Sequence, residues 1–333
     1  MNAAATLWRQ ERRRRYGLLA LLLVPGITCG GQDRQLIPYK PGVRVTTLPA
    51  YVYDMRSDGV RLWIELQDGS LWSLEPGVTD AAQVVPPQQS GSASFPSPSL
   101  ATGPQEVYFN GPGGNIWAVQ KSGGTPRLLA SGEQAPADLQ TDGATLWWVA
   151  LSSLRIRSVP VSGGTLSDVV AIGSRPYAAA SDALFFWQGD LSSSFQLMRL
   201  DLAGGAATQI DGAINPYPMI TSGGIVFYGK GSLLESRPTT GGAVTDIAMF
   251  DNDCRSRCAM PELLAVGANY LFVAATLTYV DGGDPNQIPV VFRVPVSGGT
   301  PELIATPSNV PTLAAASDLP YWSTGNDVFT AAP

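Results

Sequence analysis

The chain contains no histidine. This removes the side chain whose ordinary pKa lies nearest neutrality, and with it the usual general base, the serine triad and a common zinc ligand. Cysteine is scarce, at three in 333 residues: Cys29, Cys254 and Cys258. Cys254 and Cys258 sit in Cys-Arg-Ser-Arg-Cys, and two thiolates alone do not complete a tetrahedral metal site. No metal site and no cofactor is therefore read, and no catalytic residue is assigned. Charge is sparse, at 14% of residues. The apolar run Leu18 to Val24 is too short to span a bilayer. Helical composition is lacking as well: 36 Gly and 27 Pro interrupt short apolar segments, the habit of an all-β chain rich in turns.

What the chain has is a repeat. Val159-Pro160-Val161-Ser162-Gly163-Gly164-Thr165 returns as Val294-Pro295-Val296-Ser297-Gly298-Gly299-Thr300, and in altered form at Gln120–Thr125. An aromatic and β-branched strand, B, recurs seven times, at Leu62–Ile64, Val107–Phe109, Leu146–Trp148, Leu184–Trp187, Ile225–Tyr228, Tyr270–Val273 and Pro320–Trp322. A more alternating strand, C, follows each, from Leu71–Leu74 to Val328–Thr330. Glycine pairs such as Gly123-Gly124 and Gly204-Gly205 then turn the chain, where positive φ is needed. Strand D follows, and strand A opens each unit, often behind a proline such as Pro49, Pro176 or Pro261.

The glycine pairs at Gly123, Gly163, Gly204 and Gly241 are spaced by 40, 41 and 37 residues. Four strands in about 40 residues, repeated in phase, predict a β-propeller. The fold class is all-β, a propeller of seven four-stranded antiparallel blades, with six or eight blades as the alternative. Only six D strands follow residue 49, and the chain stops after the seventh C strand. Val43–Leu48 is expected to supply the missing outer strand and close the last blade. The Ser-Gly-Gly-Thr-Pro repeat resembles secreted bacterial β-propeller proteins of the TolB-like and NHL-like kind over roughly residues 43–333. The resemblance implies a scaffold, a binding protein or, in a few cases, an enzyme, so it marks the fold and not the activity.

The N-terminus reads as a targeting segment over 1–28: Arg9 and Arg12 to Arg15 form a basic stretch before the apolar run. Cys29 directly after it resembles a bacterial lipobox, although Gly26 and Thr28 stand where Leu and a smaller residue are usual. Lipidation at Cys29 is expected, the alternative being an ordinary signal peptide with an incidental cysteine. Residues 29–42 then form a tether and 43–333 the propeller domain. The resemblance, with Gly30 and not Asp after the cysteine, implies a lipid-anchored protein of the bacterial cell envelope, at the outer membrane. Removing 1–28 takes away five Arg and Glu11, so the net charge of −6 becomes −10. A polyanion would be repelled, so nucleic acid is not expected as a partner, and a monomer is expected.

The A–B and C–D turns are short. The long connections are D–A at Pro86–Ser97 and Phe250–Met260, and B–C at Gln188–Phe195 and Thr278–Pro289, all on one face. Two of them present Asp251, Asn252, Asp253, Arg255 and Arg257, and Tyr279, Asp281, Asp284 and Asn286. These are the candidate binding-face residues, with a Cys254–Cys258 disulfide pinning the first loop. The arginines suit a carboxylate or a sugar. Oxygen ligands would suit calcium, but Asp, Asn and Gly are also ordinary turn residues and the spacing is not that of an EF-hand. The leading expectation is a non-catalytic propeller binding a protein, peptide or glycan. The alternative is a carboxylate-dependent hydrolase or lyase using a pair such as Asp281 and Asp284.

Overall fold

The computed structural model describes residues 39–88, 100–133, 135–189, 194–213, 217–250, 257–281 and 284–331, and gives the backbone alone at 213, 257–258, 279–281 and 284–286. Strand β1 (Val43–Thr47) opens the domain. Blade one is β2 (Val52–Ser57), β3 (Leu62–Leu66), β4 (Leu71–Leu74) and β5 (Ala82–Val85). Blade two is β6 (Leu100–Thr102), β7 (Glu106–Gly111), β8 (Asn115–Gln120) and β9 (Arg127–Ala130). Blade three is β10 (Pro136–Thr141), β11 (Thr145–Ala150), β12 (Arg155–Pro160) and β13 (Ser167–Ala171). Blade four is β14 (Ser174–Ala179), β15 (Ala183–Gln188), β16 (Phe195–Asp201) and β17 (Thr208–Ala213). Blade five is β18 (Met219–Ser222), β19 (Ile225–Lys230), β20 (Leu233–Pro238) and β21 (Thr245–Met249). Blade six is β22 (Arg257–Val266), β23 (Tyr270–Asp281), β24 (Asp284–Pro295) and β25 (Glu302–Ala305). Blade seven is β26 (Leu313–Ala316), β27 (Leu319–Thr324) and β28 (Asp327–Thr330), and β1 completes it by pairing antiparallel with β28. The seven-bladed propeller closed by an N-terminal strand is thus the observed fold.

The B strands are buried on both faces because each lies between an A and a C strand and between two neighbouring blades. Trp63, Trp148, Phe186, Tyr228 and Trp322 are all fully buried there. Each such side chain contributes about 1.5–3 kcal/mol by leaving water, so the seam between blades is the core. One cluster joins Met55 and Ile64 of blade one to Ala314 and Tyr321 of blade seven. Another joins Tyr108 of blade two to Trp148 of blade three.

The glycine turns work in a particular way. Gly123, Gly163, Gly241 and Gly298 each donate their N–H to the carbonyl three residues back, at 2.8–3.0 Å. The first glycine therefore stands at the fourth position of the turn, and at Gly163 φ is +92. A register shift then follows between the C and D strands of every blade, as at Ile116/Trp117, Ile156/Arg157 and Leu197/Met198. A recurring bulge bends the outer strand and strengthens the twist.

Two prolines depart from the expectation that they open their strands. Pro176 is the third residue of β14 and Pro261 the fifth of β22. Both lie where the A–B ladder is already broken, between Ser174 and Tyr177 and between Pro261 and Leu263. A missing N–H costs little at such a break.

Candidate binding face and central channel

The face carrying the A–B and C–D turns is tied down. Asp58 accepts N–H groups from Val60 at 3.0 Å and Arg61 at 2.8 Å, and the Trp63 indole N–H at 3.1 Å. The Lys121 ammonium of blade two reaches the same carboxylate at 2.7 Å. Burial pushes the Asp58 carboxyl up, but Lys121 and the N–H donors outweigh it and bring the pKa down to about 2. Asp142 repeats the motif in blade three, accepting from Ala144 and Thr145 at 2.8 Å. The Asp-Gly signals thus build locally closed turns, and the lysine joins one blade to the next.

The opposite face differs, chiefly at blade six. Strands β23 and β24 run for 12 residues each and β22 for 10, whereas the B strands of other blades have five or six. The expected loop Thr278–Pro289 is therefore a β-hairpin, paired continuously from Thr276↔Pro289 to Asp281↔Asp284. Likewise Arg257 to Met260, expected as loop, pair with Tyr279 to Thr276. The run Tyr270–Asp281 is rich in β-branched and aromatic residues and holds no Gly or Pro, so nothing within it interrupts the ladder. Arg257, Tyr279, Asp281, Asp284 and Asn286 thus sit on one hairpin and the strand beside it, with Tyr279 opposite both Arg257 and Asn286. Asp251, Asn252, Asp253, Cys254 and Arg255 lie outside the described residues, as does any pairing of Cys254 with Cys258.

The ring of A strands encloses a central channel of about 390 Å³. Neighbouring A strands pack in order around it, from β2 through β6, β10, β14, β18, β22 and β26 back to β2. They do not pair edge to edge, so side chains supply the seam bonds. The Thr102 hydroxyl donates to the Ser57 carbonyl at 3.0 Å. The Gln140 amide donates to the Tyr177 carbonyl at 2.6 Å and accepts from the Ala179 N–H at 2.7 Å. The Leu100 N–H donates to Asp54 at 3.0 Å, while Arg56 Nε donates to the Leu100 carbonyl at 3.3 Å. Asp54 is 5% exposed, and burial pushes its carboxyl up against the opposing pull of Arg56 and two backbone N–H groups. Between blades three and four, Arg175 grips Asp138 with both Nε and Nη2. That hydrogen bonding raises the arginine further above its ordinary value.

A carboxylate pair that the sequence reading did not single out lies between blades four and five. Asp211 accepts from the Tyr228 hydroxyl at 3.0 Å and from the Lys230 ammonium at 2.9 Å, and Lys230 also stands 3.6 Å from Glu235. Burial, then the contact with Asp211, pushes the Glu235 carboxyl up. At Asp211 burial acts the same way but is outweighed by Lys230, so that carboxyl lies low. The residues are 24 apart in different blades, and only the repeat register could have brought them together on paper.

The class of protein defined by this geometry is the β-propeller. No family model matches the chain. No curated protein matches it either. Among solved structures, one titled "YCF48 bound to D1 peptide" is similar at a TM-score of 0.59 and 13% identity, covering 89% of this chain and 98% of that one. A computationally designed protein, Ika8, is similar at 0.55 and 13%, covering 88% of this chain and 100% of that one. A nidogen/laminin complex is similar at 0.48 and 12%, covering 66% and 90%. At 13% identity the first two likenesses show the fold alone.

Proposed function

We infer that the protein is a non-catalytic, envelope-anchored β-propeller that binds a protein or peptide through the face bearing the blade-six hairpin. The observation that carries this reading is the length of β23 and β24, which raises one hairpin at the D–A and B–C end of a ring whose other described blades have shorter strands there. A hairpin held in a continuous ladder needs less backbone ordering on binding than a loop does. A similar propeller solved with a peptide bound supports the same direction. The Asp211–Glu235 pair is assigned to the seam and not to chemistry, because Lys230 and Tyr228 already engage it.

In this reading Cys29 carries the lipid and Cys254 pairs with Cys258, shaping the approach to β22. The loop so closed is tiny, and its chain-entropy contribution is about 2 kcal/mol at most, too little to support the fold. The test is to replace residues 278–287 by Asn-Gly, which leaves Leu277 opposite Ile288 across a two-residue turn. The shortened protein is expected to melt as the parent does and to lose its partner in crosslinking from the envelope. Retained capture would overturn the reading.

A further inference from the structure

The channel is two-sided. Polar side chains line it in blades one to four, among them Arg56, Asp138, Gln140 and Thr141. Blades five to seven line it chiefly with Ile220, Leu263, Ala265, Val266, Leu313 and Ala314. Of the charged groups in this lining, Asp138 is neutralised by its two-point pairing with Arg175. Two remain available. Arg56 has 43% of its side chain exposed, and its contacts in the seam are long, 3.3 Å to the Leu100 carbonyl and 3.4 Å to Asp54. A guanidinium has five N–H donors, so these contacts leave several unused. Glu262 is exposed in blade six, across the apolar wall of blade seven from Arg56. In blade four the lining also holds Tyr177, fully buried, whose hydroxyl has no hydrogen-bond partner among the described residues.

A cation and an anion flanking an apolar wall match a ligand with the opposite arrangement. We propose that the channel binds a small zwitterion with an apolar body, a short apolar peptide with both ends free. Its carboxylate meets Arg56, where a planar fork of donors suits two oxygens. Its ammonium meets Glu262, and its side chains lie along Ala265, Leu313 and Ala314. A cavity of about 390 Å³ is of the size that small ligands occupy. Burial of the apolar body supplies affinity, and the two charges fix direction.

The probe is leucyl-alanine, titrated calorimetrically into the intact protein beside its N-acetylated and C-amidated forms and beside decanoate. Free dipeptide is expected to bind saturably, and either blocked form at least tenfold more weakly. Glu262→Gln, at an exposed site, should weaken the free dipeptide tenfold and leave the acetylated form unchanged. Arg56→Gln combined with Asp54→Asn, which avoids stranding a buried charge, should weaken the free and acetylated forms alike. The hairpin-shortened protein should keep the dipeptide, which separates this site from the partner face. Blocked and free dipeptides binding equally, decanoate binding as well as the dipeptide, or no saturation at millimolar dipeptide would overturn the proposal.

Discussion

Leu48 and Asn326, 278 residues apart, hold each other from both sides. The Leu48 N–H donates to the Asn326 carbonyl at 2.8 Å, and the Asn326 amide donates back to the Leu48 carbonyl at 3.0 Å. Beside them the Thr47 hydroxyl donates to Asp327 at 2.5 Å. These bonds clasp β1 to β28 and make the last blade a composite of both chain ends. Truncation to residue 49 is therefore expected to lower the melting temperature of the whole domain, since blade seven loses its outer strand and β28 becomes a bare edge. Asn326→Ala alone should cost about 1 kcal/mol, the worth of a typical hydrogen bond. Thermal unfolding of both variants measures this, and an unchanged truncation would mean the ring does not depend on β1.

The clasp also extends beyond β1. The Lys40 N–H donates to the Thr306 hydroxyl at 2.7 Å, and the Thr306 N–H donates to the Lys40 carbonyl at 2.7 Å. Ordered contact with the blades thus begins before β1.

The Asp58–Lys121 tie predicts an acid limb. The Asp58 pKa lies at about 2 in the folded protein, below its ordinary 3.8. A depressed carboxyl stabilises the fold above its unfolded pKa and loses that contribution as pH falls toward the folded value. Urea unfolding of Asp58→Asn should therefore show a flatter decline than the parent between pH 4 and pH 2, the parent's excess loss being about 1–2 kcal/mol. Parallel declines would contradict the assignment.

Glu235 predicts the opposite slope. Its carboxyl is raised by burial and by Asp211. A raised group contributes stability below its unfolded pKa, and this is lost as pH rises through the folded one. Glu235→Gln, which imitates the protonated form, should lose less stability than the parent between pH 4 and pH 8. Chemical unfolding at the two pH values decides the sign.

Two glycines separate backbone strain from crowding. Gly163 has φ +92 with open space where a Cβ would stand, whereas Gly114 has φ +71 with the Glu133 carbonyl oxygen 1.8 Å from that position. Gly163→Ala should cost about 1 kcal/mol, the strain of the left-handed region alone. Gly114→Ala should cost clearly more, because the N–H of Glu133 also bonds to the Gly114 carbonyl at 2.9 Å and the two segments cannot part. Equal melting temperatures for the two variants would refute this distinction.

The repeat made the blades legible, because an aromatic B strand and a glycine turn leave marks at fixed spacing. Trp63, Trp148 and Trp322 are buried where that pattern puts them. Closure was legible from a count of strands, since six D strands needed a seventh. The blade-six hairpin was not, because Tyr270–Asp281 and Asp284–Pro295 outrun the length that the repeat sets, and the Asp and Gly residues near the tip read as loop. The channel was also hidden. Arg56, Asp138 and Glu262 belong to different blades and come to line one channel only through ring geometry, and each looks like an ordinary strand or turn residue in its own segment. The Asp211–Glu235 pair escaped for the same reason.

The most direct test of the partner-binding face uses two photocrosslinking residues in the full chain, placed one at a time in the native envelope. Gln287 is exposed on the hairpin, and Ser122 is exposed in a C–D turn on the opposite face. The account predicts a discrete protein adduct from position 287 and none from position 122. The same adduct from both positions, or an adduct from position 122 alone, would contradict it.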